Sequence, residues 1–174
     1  MSLKQVEGYA LGDDDLAKII PNTHIFTYPY LKQVKHIDEI FDDEGRAIML
    51  YLTEDEHTGH WVGLLRKDDH IEFFDPYGEK PDNELKWISG GMRKKLDEDQ
   101  PLLSRLLRQS GLPVIYNKTK FQKENDEIET CGRHTATRLL FKDLTLPQYA
   151  DMIKRSRMNA DEFVSRLTYP LIQK

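Results

Sequence analysis

The chain has 174 residues, 39% of them hydrophobic, and a formal net charge of -5. This length fits one domain with a single core, and the mild charge argues against nucleic-acid binding by the whole surface. Apolar runs such as residues 47–52 are too short to span a bilayer, so no membrane partner is expected. The first residues lack a secretory signal pattern, and a single cysteine indicates a reducing compartment, so secretion is not expected.

The predicted elements of the first half are one helix followed by strands. Three acids at residues 13–15 precede LAKII and indicate a capped helix, which Pro21 ends. A mixed, aromatic stretch follows. Residues 47–52 (AIMLYL) are typical of a buried strand, and HWVGLL and HIEFFD predict two further strands joined by a polar turn. Within the last of these, Glu72 alternates with Phe73 and is predicted to face solvent.

The second half is mainly helical. Helices are predicted over residues 83–95 and 101–109, residues 112–116 predict a strand, and three more helices are predicted at 131–141, 147–155 and 160–167. Strands in the middle of the chain, flanked by helices, predict an α+β fold. We expect a central, mostly antiparallel or mixed sheet in a single catalytic domain over residues 1–174, with its motif-bearing core at about 45–142.

Cys131, the single cysteine, stands where the predicted helix 131–141 begins. Unpaired backbone N–H groups and the helix dipole favour an anion there, so thiolates are stabilised at helix N-termini. Gly132 leaves room for a substrate backbone and for N–H groups that would hold an oxyanion. The alternative is a small buried hydrophobe, so a catalytic reading requires a base and an orienting group as well.

His60 is the candidate base. If residues 67–68 form a two-residue loop between the two strands, His60 lies directly opposite Asp75, whose carboxylate could hold one imidazole nitrogen while the other takes a proton. A loop centred one residue later pairs His60 with Tyr77 instead. Asp75 in FFDPYG is also compatible with ordinary turn chemistry.

The sequence offers two other arrangements of histidine. His57, His60 and Cys131 could form a metal site, but HTGH falls where a loop meets a strand, and a second cysteine for a zinc cluster is lacking. We therefore expect no metal and no cofactor. His134 lies one helical turn beyond Cys131 and could approach the thiol or pack as a structural residue, so it is assigned no catalytic role.

Four motifs in this order resemble a known family. His-Trp at a strand start, FFDPYG at the end of the next strand, a later glutamine, and Cys-Gly opening a helix are similar, over roughly residues 59–140, to the adenain and Ulp1-like cysteine peptidase superfamily (clan CE). In that family the catalytic order is His, Asp or Glu, Gln, Cys. FFDPYG and TCGRH resemble the viral maturation proteases of adenovirus and of Polinton-like and virophage-like DNA viruses.

The resemblance implies a role for each matching residue. His60 would be the base and later the acid, Asp75 would orient it, and Cys131 would form the acyl-enzyme. Gln122 would donate its side-chain amide to the oxyanion. Its distance along the chain from Cys131 is longer than the family suggests.

The resemblance leaves alternatives to Gln122 and implies roles for two more residues. Gln109 and Gln100 are alternatives to Gln122, although both fall inside or beside a predicted helix. Trp61 is expected to pack beside the catalytic histidine, and Trp61 and Gly132 are expected to contact substrate.

The implied function is a cysteine endopeptidase that cleaves viral capsid or core precursors, near small residues, during virion maturation. Its place would be the virion and the cytoplasm or nucleus of the host cell. Basic clusters at residues 93–95 and 154–157 could contact DNA or be solvated helix faces. Because a second cysteine is lacking, any peptide activator would bind non-covalently.

Two alternatives stay open. The first is a deconjugating peptidase for ubiquitin- or SUMO-like modifiers, although such enzymes commonly carry Asp where this chain has Thr130. The second is a catalytically inert interaction module of the same fold. The sequence leaves the oligomeric state open.

Overall fold

Five strands form one sheet in the computed structural model, which describes residues 1–173. In chain order and in sheet order these are β1 (His24–Thr27), β2 (Arg46–Asp55), β3 (Thr58–Arg66), β4 (Ile71–Phe74) and β5 (Val114–Tyr116). The β1–β2 and β4–β5 pairs are parallel, whereas β2–β3 and β3–β4 are antiparallel. The predicted α+β fold with a central sheet flanked by helices is therefore confirmed, and the sheet is mixed. Strand β1 was not predicted.

The helices lie before, between and after the strands. They are α1 (Leu3–Glu7), α2 (Asp13–Ile19), α3 (Gly90–Lys95), α4 (Leu102–Gln109), α5 (Cys131–Leu140), α6 (Leu146–Arg155) and α7 (Ala160–Ile172), with 3₁₀ helices at Tyr28–Gln33, Ile37–Ile40 and Asn83–Trp87. The predicted helix over residues 83–95 is divided, because Ser89 Oγ accepts the Met92 N–H (3.2 Å) and starts a new helix. Among the described helices, none is long and apolar enough to cross a bilayer.

The sheet is covered on both faces, because side chains of its central strands alternate between two apolar layers. Even-numbered residues of β2, such as Leu50, pack with α2 and α5, while odd-numbered residues, such as Tyr51, pack with α4 and the 3₁₀ helices. Leu50 is paired with Trp61 on β3, and Tyr51 is paired with His60. Trp61 therefore lies on the α5 face and His60 on the opposite face.

Helix α5 lies directly against β3 at Gly63. A Cβ atom at this position would stand 2.7 Å from Leu139 Cδ1 and 3.0 Å from Thr135 Cγ2, so a side chain there would push the helix away. Thr135 Oγ1 also donates a hydrogen bond to the carbonyl oxygen of Trp61 (3.2 Å). Because the helix runs along β3 in this close contact, its first residue, Cys131, lies near the end of β3 that carries Trp61.

The prediction that Glu72 faces solvent is wrong. Glu72 is 2% exposed, and its two carboxylate oxygens accept hydrogen bonds from Nε and Nη2 of Arg138 on α5 (2.7 and 2.9 Å). Arg138 also donates to the carbonyl oxygens of Phe141 and Leu144 (2.9 and 2.8 Å). The alternation of side chains assigns Glu72 to one face of the sheet, but helices cover that face too, so the carboxylate is buried with its counter-charge.

We expect Glu72→Ala to lower the free energy of unfolding by about 3–5 kcal/mol, because it leaves the Arg138 guanidinium buried without a counter-charge. Urea unfolding followed by far-UV circular dichroism measures the change. The double variant Glu72→Met/Arg138→Met should recover most of the loss, since apolar side chains replace both charges. A single variant as stable as the wild type would contradict the buried ion pair.

Candidate active site

His60 and Asp75 are joined by a short hydrogen bond at the ends of two neighbouring strands. His60 is the third residue of β3, Asp75 directly follows β4, and both are buried. His60 Nε2 lies 2.7 Å from Asp75 Oδ1, and because a carboxylate can only accept, the imidazole donates this bond. Nδ1 therefore remains available to exchange a proton with another group.

The strand register that was favoured for this contact is wrong. Lys67 N–H donates to the carbonyl oxygen of His70 (2.9 Å), so the hairpin turn is centred on residues 68–69, one residue later than expected. His60 is therefore not directly opposite Asp75. The contact forms diagonally, because moving the turn by one residue shifts the pairing by two residues and leaves both side chains on the same face.

Tyr77 and Asn117 hold the pair in place. The Tyr77 ring stacks on the His60 imidazole (centroids 4.8 Å apart, planes at 15°), and the Tyr77 N–H donates to Asp75 Oδ1 (2.8 Å). Asn117 Oδ1 accepts the Asp75 N–H (3.0 Å), and its Nδ2 donates to the Asp75 carbonyl (2.6 Å). Asn117 was not predicted as a site residue. Asn117 follows β5, and the parallel pairing of β4 with β5 brings it beside Asp75. That pairing is the signal that would have identified it.

Cys131 is the first residue of α5, nine of whose ten residues are buried. The predicted position of the cysteine at the N-terminus of a buried helix is therefore confirmed. The preceding residue, Thr130, donates its hydroxyl to Asp161 Oδ1 (2.7 Å), and within residues 1–173 its side chain accepts no N–H of the helix. The first backbone N–H groups of α5 are therefore available to donate hydrogen bonds to a negative charge near the sulfur.

His134 is a structural residue of this helix start. It is fully buried, and its Nε2 lies 2.9 Å from Asp161 Oδ1 on α7. Burial lowers the pKa of His134 despite the carboxylate, so the ring is neutral and donates to Asp161. Asp161 thus receives hydrogen bonds from both Thr130 and His134, which fixes the beginning of α5 against α7.

His60 is stabilised in its protonated form. Burial opposes the charge, but the charges and hydrogen bonds of Asp75 and then of Cys131 outweigh it and raise the pKa of His60 well above its usual value. The contribution of Cys131, by its charge and a hydrogen bond, links the start of α5 to the imidazole. An imidazolium beside a thiolate is the state in which a cysteine can attack a carbonyl carbon.

Gln122 joins the loops on either side of this cluster. Its backbone N–H donates to the carbonyl of Pro76 (3.1 Å), next to Asp75, and its Nε2 donates to the carbonyl of Ile128 (3.3 Å), three residues before Cys131. The side chain is buried, and Oε1 finds no hydrogen-bond partner among the described residues. The alternatives, Gln100 and Gln109, are both exposed.

Trp61 and Gly132 pack against each other on the α5 face. Trp61 Nε1 donates to the carbonyl of Leu11 (2.9 Å), and a Cβ atom on Gly132 would lie 3.2 Å from both Trp61 Cδ1 and Leu11 Cβ. Trp61 also borders a surface groove of about 1000 Å³ between the start of α2, strand β2 and the β2–β3 turn. A groove of this volume can hold part of a polypeptide on the side of the sheet that carries Trp61.

Glu84 is a further member of the cluster that sequence reasoning missed. It lies on the 3₁₀ helix Asn83–Trp87, and one oxygen each of Glu84 and Asp75 and one ring nitrogen of His60 are within 4.8 Å of one another. Burial, the charge of Asp75 and a hydrogen bond with Asp75 raise the pKa of Glu84 to about 8. NELKW carries no motif that would have identified it.

These three side chains have the donor types of a metal site. A cation between them would have to displace the 2.7 Å bond between His60 and Asp75, which already satisfies one atom of each. His57, which was weighed as a ligand, is exposed on the β2–β3 turn. The geometry therefore supports proton chemistry at His60 better than metal coordination.

Comparison with known proteins adds one relationship. No protein family model matches the chain. The chain is 35% identical over 172 residues to uncharacterized protein V9 of Sputnik virophage, and the match covers 95% of this chain and 98% of that protein. The two proteins are alike along nearly their whole length, and the relationship suggests a viral origin.

We expect Asp75→Asn to lower the pKa of His60, because the variant removes the largest contribution that raises it. Histidine ring signals followed by NMR across a pH series measure the pKa. Cys131→Ala should lower it by less, since the thiol contributes less than the carboxylate. An unchanged His60 pKa in Asp75→Asn would mean that the bond between the two residues has no electrostatic effect on the ring.

Proposed function

The chain belongs to the same family as uncharacterized protein V9 of Sputnik virophage, and we propose that it is a cysteine endopeptidase of a DNA virus. Its substrates would be capsid or core precursor proteins, cleaved during virion maturation. One observation carries the proposal: the 2.7 Å bond between His60 and Asp75, beside Cys131 at a helix start, which raises the pKa of the same imidazole. Sulfur, imidazole and carboxylate in this order form a nucleophile, its base and the group that orients the base.

The proposed reaction is acyl transfer. With the thiol proton already on Nδ1 of the protonated His60, the Cys131 thiolate attacks the carbonyl carbon of the scissile bond. The oxyanion is held by the backbone N–H of Cys131 and by the side-chain amide of Gln122. The imidazolium then protonates the leaving amine, and the C–N bond breaks. Water activated by His60 finally hydrolyses the thioester and regenerates the thiol.

Two features of the chain favour a protein substrate and activity without a tethered activator. The surface groove beside Trp61 has a volume of about 1000 Å³, enough to receive a segment of polypeptide. His60 and Asp75 are already hydrogen-bonded in the isolated chain, and Cys131 contributes to the raised pKa of His60. A disulfide-linked activator would consume Cys131, the single cysteine, so any activating peptide would bind without a covalent bond.

The substrate class is tested by incubating the purified protein with capsid and core proteins encoded by the same genome and with Gly-containing peptides made from their sequences. We expect discrete internal cuts, mapped by mass spectrometry, and none with Cys131→Ala or His60→Ala, because nucleophile and base act as a unit. Fluorogenic ubiquitin and SUMO conjugates form a second arm. Cleavage of these alone would replace the maturation proposal by deconjugation.

Gln122→Ala tests the oxyanion donor. We expect turnover to fall by about 10²–10³-fold with little change in KM, because the amide would serve only the developing charge. Gln109→Ala is the matched control, since that glutamine is exposed on α4 and should be dispensable. Equal rates for Gln122→Ala and the wild type would assign the oxyanion to backbone N–H groups alone.

Alkylation of Cys131 separates an active enzyme from an inert protein of the same fold. We expect iodoacetamide to label Cys131 rapidly near neutral pH, because His60 would serve as the base for its thiol, and we expect His60→Ala to slow the labelling. Intact-mass spectrometry measures both rates. Sluggish labelling that is the same in both proteins would indicate an ordinary buried thiol and would contradict the peptidase proposal.

A further inference from the structure

Asp75 has a second carboxylate oxygen that the catalytic cluster leaves unused. Oδ1 accepts hydrogen bonds from His60 Nε2 and from the Tyr77 N–H. Oδ2 is buried, and among residues 1–173 it meets no side-chain or backbone N–H or hydroxyl donor. Burying a carboxylate oxygen without a hydrogen-bond donor costs free energy. The remaining type of donor for this atom is a protonated carboxyl group.

The carboxyl group of Glu84 is next to Asp75 and can be that donor. One oxygen of each carboxyl group lies within 4.8 Å of the other. Two ionised carboxylates cannot hydrogen-bond each other, since both only accept. A bond between them therefore requires a proton on one of the pair. Burial and then the charge of Asp75 raise the pKa of Glu84, so the proton belongs on Glu84.

The backbone that carries Glu84 is anchored two residues earlier, at Asp82. The Asp82 N–H donates to the hydroxyl of Tyr51 (2.9 Å), and its Oδ1 accepts from the hydroxyl of Tyr28 (2.7 Å). Oδ2 accepts the N–H of Ser104 at the start of α4 (2.7 Å). Both tyrosines are fully buried in the core. Glu84 is therefore presented to Asp75 from a fixed support.

We propose that Glu84 is a positioning residue of the catalytic cluster: its neutral carboxyl donates a hydrogen bond to Asp75 Oδ2 and so fixes the carboxylate that orients His60. As a statement about turnover, the inference rests on the proposed peptidase function. A neutral acid adds no charge, so the negative charge of Asp75 remains available to the imidazolium. The Glu84 carboxyl is then a fourth group in line after the sulfur, the imidazole and the Asp75 carboxylate.

The surroundings of Glu84 define how this contact responds to pH. The titratable groups around it are Asp75, His60, Glu79, Tyr77, Tyr51 and Lys120. Both tyrosines are neutral because burial raises their pKa values, and Lys120 is exposed and paired with Glu124. Burial and then Asp75 raise the pKa of Glu84 to about 8, against the opposing charge of His60.

The sign of the pH effect follows from that raised pKa. Below about pH 8 Glu84 is protonated and donates; above it Glu84 ionises, the hydrogen bond is lost, and two like charges face each other. A cavity of about 220 Å³ that His60, Glu84 and the exposed Trp87 line lets Glu84 exchange its proton with solvent. The orientation of His60 should therefore weaken on the alkaline side.

The protonation state is tested without any substrate. Carboxyl carbons of glutamate, labelled with ¹³C, are followed by NMR across a pH series in the wild type and in Glu84→Gln. We expect one signal that titrates near pH 8 in the wild type and is missing from the variant. Titration of the Glu84 signal near its ordinary value of 4.5 would overturn the proposal.

The positioning role is tested with a matched pair of substitutions. Glu84→Ala should lower both turnover and the rate of Cys131 alkylation by about 10- to 100-fold at neutral pH, with KM nearly unchanged, because Asp75 loses a donor. Glu84→Gln keeps an N–H donor that cannot ionise, so it should restore most of the rate and remove the alkaline decline. Glu44→Ala, on an exposed turn, is the control and should behave as wild type.

The outcomes separate this inference from the proposed function. If no peptide is cleaved but alkylation responds to the Glu84 substitutions as described, the positioning role stands and the peptidase proposal fails. If the wild type cleaves its substrate and Glu84→Ala does so at the same rate, the positioning role fails alone. If Glu84→Gln is as slow as Glu84→Ala, hydrogen bonding is not what Glu84 provides, which also overturns the inference.

Discussion

Close contact between helix α5 and strand β3 is the constraint on which the site depends. Gly63 has no side chain, so Leu139 and Thr135 of the helix pack directly on the strand, and the helix cannot slide or lift without breaking that contact. The two ends of α5 are tied down as well, through Thr130 to Asp161 at the start and through Arg138 to the sheet at the end. With its length and position fixed, α5 holds its first residue, Cys131, near the end of β3 that carries His60.

Local pattern was sufficient to predict the elements that build this arrangement. Short apolar runs predicted β2, β3 and β4, and helical spacing after Cys131 predicted α5, because both patterns are properties of neighbouring residues. The hairpin register could not be predicted in this way. The two registers considered differ by two residues, so each keeps every side chain on the same face, and the hydrophobic pattern fits both equally. The contact between His60 and Asp75 can form in either register, because Asp75 as a diagonal neighbour is still within reach of the imidazole.

Features that depend on what covers an element were not predictable from the chain. Alternation assigned Glu72 to a face of β4 but could not reveal that α5, more than fifty residues later in the chain, would bury that face and supply Arg138. Asn117 reaches Asp75 only because β5 adds to the sheet in parallel with β4, and β1 was missed because its strand character comes from pairing with β2. Glu84 reaches the site because a buried tyrosine network folds the segment after Asp75 back towards it, and no residue pattern encodes that return.

The charges of the cluster explain why a neutral Glu84 suits the site better than a second anion. Asp75 must stay negative to keep His60 protonated, and a buried anion needs hydrogen-bond donors on both of its oxygens. A lysine or arginine at the position of Glu84 would satisfy Oδ2 but would also repel the imidazolium and compete for the carboxylate. A protonated carboxyl satisfies the same oxygen without adding charge, so the attraction between Asp75 and His60 is kept. The environment that raises the pKa of Glu84 is made mainly by burial and by Asp75 itself, so the anion that needs the donor also keeps the donor protonated.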